Sequence, residues 1–143
     1  MKTCGSCTLC CNVMAVESLQ KPVNRDCQYL VPGNGCKIHG ARPDACKNFN
    51  CMYLMVNDLP EELRPDKCGV VFFCTPSQPN IIYAHVHPHR VKTLESRLMR
   101  LFMKRLAMTG AKILVTTAGQ REVIGMNKKD ELVKIAEQPK DSL

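Results

Sequence analysis

Cys4-Gly5-Ser6-Cys7-Thr8-Leu9-Cys10-Cys11 places four thiols in the first eleven residues. A two-residue gap between cysteines lets a tight turn aim two sulfurs at one ion, with backbone amides donating to them. Four-thiolate zinc sites and iron–sulfur clusters both use that spacing. A repeat that ends in an adjacent pair is more than one mononuclear centre needs. Cys10 and Cys11 point apart in most backbone conformations, so they can serve two metals, or one of them can be structural. Cys27, Cys36, Cys46 and Cys51 supply the second half of the set. Pro32-Gly33 and Asn34-Gly35 signal turns between Cys27 and Cys36, which brings those two thiols back to one place. Eight thiols can hold two four-cysteine zinc ions or a compact cluster with bridging thiolates. Alternatively, four can hold an iron–sulfur cluster while the others are structural. Spacing does not partition them. Free cysteines also serve as small buried hydrophobes, but this density and spacing favour ligation. The cofactor expected is zinc, more than one ion, with an iron–sulfur cluster as the alternative.

Other residues are weighed against this set. His39 is a candidate ligand, but eight thiols leave little need for it, so a surface or supporting position is expected. His85-Val86-His87-Pro88-His89 would place three imidazoles on one face of a strand, and imidazole suits zinc, iron and copper. Pro88 interrupts that strand, so a solvated strand end is the plainer reading. Cys68 and Cys74 flank a strand candidate six residues apart; they are read as core, with extension of the metal site as the alternative. Arg97, Arg100 and Lys104 form a basic stripe that can meet phosphates. Without interleaved aromatics it reads as a solvated helix face. Met99, Met103 and Met108 read as gap-filling core or an interface.

The cysteine motifs carry a resemblance. The Cys-x-x-Cys-x-x-Cys-Cys run is followed by Cys27-Gln28-Tyr29-Leu30 and Gly35-Cys36-Lys37-Ile38-His39. Arg42-Pro43-Asp44-Ala45-Cys46, Asn48-Phe49-Asn50-Cys51 and the stretch Leu59 to Lys67 come next. Together, over about residues 4–73, these resemble the zinc- or iron-chelating domain family named after the CxxCxxCC motif. The resemblance implies metal chelation by the eight cysteines and no assigned activity. It gives Arg42 a supporting role, donating to thiolates or carbonyls. A flagellin lysine N-methylase carries a similar motif in a much longer chain, but no methyl-donor site is evident here, so methylation is not carried over.

Composition bounds the rest. The chain has 143 residues, ten cysteines, no Trp and a formal charge of +7. That length suits a single domain, 1–143, divided into a cysteine-rich region (1–56) and an α+β region (57–143). Two four-thiolate zinc ions would lower the charge to about +3, which weakens any argument for nucleic acid. A nucleic-acid module stays as a third reading and a protein partner as an open one. No apolar run suits a signal peptide or a bilayer span, so the expectation is a cytoplasmic protein with reduced thiols. No glycine-rich phosphate loop, serine nucleophile motif or paired carboxylates appear, and a non-enzymatic role is expected; the iron–sulfur alternative would carry redox or enzymatic activity.

The elements that must position the thiols follow. Residues 1–51 have few consecutive apolar residues and need a staple, for which metal is the available choice. Met52–Val56 and the segment 58–65 predict short helical turns. Residues 69–73 and 80–86 predict one hairpin, and 112–117 with 120–125, around Ala118-Gly119, a second. Leu94, Leu98, Leu101, Phe102 and Leu106 predict the main amphipathic helix, ended by Gly110. Lys128–Ala136 reads as a tail helix and 138–143 as frayed. The fold expected is α+β: a metal-stapled cysteine-rich half packed on a short antiparallel sheet of two hairpins with one main helix.

Overall fold

Short apolar stretches set between glycines and prolines allow only brief elements in the first half of the chain, and brief elements are what the computed structural model contains. It describes residues 1–118, 120–129 and 131–138. Helix α1 spans Leu9–Val13, strands β1 (Leu30–Val31) and β2 (Gly35–Cys36) form a two-stranded hairpin, and α2 (Asp44–Lys47) and α3 (Met52–Met55) follow. Leu9, Val13 and Cys51 bury themselves with Val71, a residue from the other half of the chain. The cysteine-rich region therefore borrows part of its interior.

Helix α4 (Pro65–Cys68) starts with proline, whose fixed φ suits a first turn, and ends at Gly69 with φ of 78°. Strands β3 (Val70–Thr75) and β4 (Gln78–Val86) pair antiparallel, with Phe72 opposite Ala84. Helix α5 (Arg97–Met108) comes next, and the Ser96 side chain accepts from Met99 N at its start. It carries the chain across to β5 (Lys112–Thr117), which pairs parallel to β4. Strands β6 (Gln120–Met126) and β7 (Leu132–Gln138) complete a five-stranded sheet in the order β3-β4-β5-β6-β7. One face of this sheet, through Val70, Phe72, Ile82, Ala84, Val86, Ile113 and Val115, packs on Met99, Phe102, Met103, Leu106 and Ala107 of α5.

The expected fold class is corrected in two places. Both hairpins exist, but they lie side by side through a parallel β4–β5 pair, so the sheet is mixed rather than short and antiparallel. A parallel pair needs a crossover, and α5 supplies it. The expected tail helix over Lys128–Ala136 is instead largely strand β7. Asn127 turns the chain there: its Oδ1 accepts from Lys129 N at 2.8 Å and Glu131 N at 3.0 Å. The following Val133 and Ile135 are β-branched, and β6 offers an otherwise unpaired edge. Gly119 at the second hairpin's tip and residues 139–143 of the expected frayed tail lie outside the described residues.

The apolar face of the main helix also shifts. Leu98 and Leu101 are exposed (40% and 56%), while Met99 and Met103 are buried. Positions 99, 102, 103 and 106 have helical spacing as good as the leucine set, and their side chains fit the sheet.

Candidate metal centre

The cysteine-rich region reaches its shape through backbone bonds between thiol-bearing turns. Cys7 N donates to Cys4 O at 2.8 Å, and Gly5 inside that turn has φ of 54°, a conformation that costs glycine little. Cys11 N donates to Thr8 O, and Cys27 N donates to Cys11 O at 2.9 Å, tying the second segment to the first. The β1–β2 hairpin returns Cys36 toward the same place, and its Gly35 approaches Gly5 O. Helix α2 carries Cys46, and Cys51 stands just before α3.

Cys4, Cys7, Cys10, Cys11, Cys27, Cys36, Cys46 and Cys51 all line one cavity of about 120 Å³. A single water-sized guest needs roughly 10–15 Å³ of such space, so several ions or a cluster would have room. Met14, Ile38, Phe49 and Leu54 supply apolar wall, and Val71 of β3 also lines the cavity. Cys68 and Cys74 stay outside. Cys68 is buried in the sheet core, with its thiol near Val70 O and Leu63 O. Cys74 is exposed, which corrects its expected core position. All ten are free cysteines.

Among the described residues, no group of three or more His, Cys, Asp or Glu side chains is arranged to hold a metal ion as it stands. The donor set nevertheless suits a soft metal in number and type. Ligation would have to draw the thiols inward from the walls they now occupy.

Burial and neighbouring groups act differently on the individual thiols of the cavity. Burial raises the Cys4 and Cys46 thiols, and the thiol of Cys7 is pushed up to about 11, chiefly by burial. Backbone hydrogen bonds at Leu9 and Asp66 pull Cys7 the other way. Cys10 and Cys11 share a hydrogen bond that raises Cys10 and lowers Cys11 to about 7. Lys21 and Arg42 favour the Cys11 thiolate.

Lys21 has no counterpart in the sequence reading. It is only 7% exposed, and its Nζ donates to Asn12 O at 2.9 Å, Pro22 O at 3.1 Å and Met14 O. Burial lowers its pKa, while Cys27, Cys11 and Cys10 oppose that shift. A lone lysine before a proline carries no motif signal; only the fold shows that it lines the thiol cavity. Arg42, expected to support the site, lines it too, and its Nε donates to His39 O at 2.9 Å. Arg64, also on the wall, pairs with Asp66 through bonds of 2.6 and 2.7 Å.

The histidines lie elsewhere. His39 is exposed on a 3₁₀ turn and does not line the cavity. His85 is on β4, its ring 5.5 Å from that of Phe73. His87 and His89 follow the strand, with His89 N donating to His87 Nδ1. They do not join His85 on one strand face, because β4 ends at Val86.

Comparison with known proteins returns no matching family model, no matching curated protein and no matching solved structure. Among the described residues, no helix is long and apolar enough to cross a membrane.

Proposed function

We propose that this protein binds metal through its N-terminal thiols, as a centre of more than one zinc ion. The observation that carries the reading is the single cavity lined by all eight sequence-predicted cysteines, gathered from separate turns, with the other two cysteines excluded. Bound zinc would supply structural cross-linking in a region with little core of its own. Lys21 and Arg42 would offset thiolate charge from the cavity wall. Met14, Ile38 and Leu54 would limit water access. The role is structural or metal-handling, with a protein partner compatible with both.

A second reading, an iron–sulfur cluster, is favoured by the same sharing of one cavity among eight thiols, because separate zinc fingers need no common space. Metal analysis with an absorption spectrum of anaerobically purified protein tests both. Colourless protein with more than one zinc per chain is the expected result. Brown protein with iron and sulfide would replace zinc by the cluster. Protein that takes up neither metal, with all eight thiols freely reactive, would end the metal reading.

A further inference from the structure

The five-stranded sheet has two faces, and α5 covers one. On the other face the strand registers set out aligned rows. Phe73, Tyr83, Leu114 and Val123 stand opposite one another across β3, β4, β5 and β6. Beside them run Val71, His85, Thr116 and Arg121, and then Ile81 with Lys112. The β3 end of this face is capped, where Val71 is fully buried under the cysteine-rich region.

Phe73 and Tyr83 stack at 5.0 Å with 14° between ring planes, His85 tilts against Phe73, and Phe49 meets Phe73 edge-on at 5.3 Å. Tyr83 has Phe73 on one side and no other ring against it among the described residues. The Nε of Arg121 is buried with no hydrogen-bond partner among the described residues. Lys112 is exposed. In the three rows named, the charged and titratable groups are Lys112, Arg121, His85 and Tyr83; none is a carboxylate. The chain as a whole carries +7.

We propose that this open sheet face binds single-stranded nucleic acid, with bases laid on Tyr83 and Phe73 and the backbone held by Arg121 and Lys112. Three features point the same way. Aromatic side chains in a row accept any base by its π-face. Cations without competing carboxylates meet phosphates. The Arg121 Nε, buried without a partner among the described residues, needs an acceptor, and a phosphate or base carbonyl would provide one once the side chain swings outward. A sheet face of this kind suits splayed bases rather than a closed duplex. None of Phe73, Tyr83, Lys112 and Arg121 lines the thiol cavity, and Phe73 meets it through Phe49 of the cavity wall.

The test uses the full-length protein as isolated, with fluorescein-labelled oligouridylate, oligothymidylate and a duplex, followed by anisotropy at rising salt. Both single strands, or the RNA strand alone, should bind, and the duplex should bind far more weakly. Tyr83→Ala should weaken binding about five-fold or more. Arg121→Ala should weaken it and flatten the log–log salt slope by about 0.7, the share of one phosphate. Arg100→Ala with Lys104→Ala, on the opposite side of the molecule, should change little. Because the chain has no Trp, Tyr83→Trp adds a single indole whose fluorescence should be quenched by the bound strand; this readout serves if Tyr83→Ala does not fold. Absence of binding at low salt, equal affinity for the duplex, or loss of binding only in the α5 variant would each overturn the proposal. So would a dimer that Tyr83→Ala dissolves without any strand binding, which would give the face to a second copy of the chain.

Discussion

Residues 70–138 build a five-stranded sheet with α5 packed along one side, and their buried cluster includes Phe72, Ile113, Met99 and Phe102. Residues 4–51 contain no helix or strand longer than the five residues of α1, and their buried cluster is Leu9, Val13 and Cys51 leaning on Val71. The first region is held by apolar area and ladder hydrogen bonds. The second is held by turns, by Lys21 reaching three carbonyls, and, on the proposed reading, by metal. Small regions that cannot bury enough apolar surface need such a staple.

The largest expected effect separates the halves directly. A chelator should strip amide-exchange protection from residues 4–51 while β3, β4 and β5 keep theirs, because structural zinc contributes about 10 kcal/mol or more to regions of this kind. Protection surviving in both halves would make them alike and remove metal as the staple. Next in size, Phe102→Ala should cost about 3–5 kcal/mol in denaturant unfolding. Phe102 is 7% exposed and meets Phe72 edge-on at 5.1 Å. Added zinc should not restore that loss, since Phe102 lies in the sheet's core and not at the thiols.

Lys21→Ala should cost about 1–3 kcal/mol by leaving the carbonyls of Asn12, Met14 and Pro22 without their donor. Its effect should concentrate in the cysteine-rich half, and metal affinity should fall with it. An equal loss of protection in β5 would show that the halves are more tightly coupled than their separate clusters imply. Ser96→Ala should cost about 1 kcal/mol, since Ser96 Oγ accepts from Met99 N at 3.2 Å at the start of α5. Thermal melting checks it, with no change in metal content.

The smallest effect is on pH. Burial, and then Arg121, hold the His85 pKa below its ordinary 6.5. The unfolded chain therefore takes up the proton first, so stability conferred by neutral His85 is present above about pH 6.5 and is lost as pH falls below it. His85→Gln should flatten that part of a stability–pH profile. If the profile is unchanged, protonation of His85 does not govern the sheet half.

That the eight cysteines come together at one cavity was legible, because short spacings and the turn residues between them bring thiols back to one place. The two hairpins were legible because turn residues and alternating apolar residues are local signals. Misreadings occurred where local signals tie. Leu98 and Leu101 have the same helical spacing as the residues that are buried, and only the sheet's surface chose Met99 and Met103. Residues 132–138 mix helix formers with the β-branched Val133 and Ile135, and the open edge of β6 decided for a strand. Cys74 was placed in the core by its distance from Cys68, but Cys68 belongs to α4 and not to the strand.

By itself, the sequence determined which atoms can do chemistry: a set of thiols, turns that can bend back on themselves, and an apolar remainder able to form a core. The tertiary structure alone decided what those atoms face. Lys21 beside the thiols depends on contacts between separate turns, and the parallel β4–β5 pair depends on a crossover through α5. The row from Phe73 through Tyr83 to Val123, with Arg121 beside it, depends on that same pair. These placements come from packing between segments far apart in the chain, where the cost of closing long loops is met by burial rather than by any preference of the residues themselves.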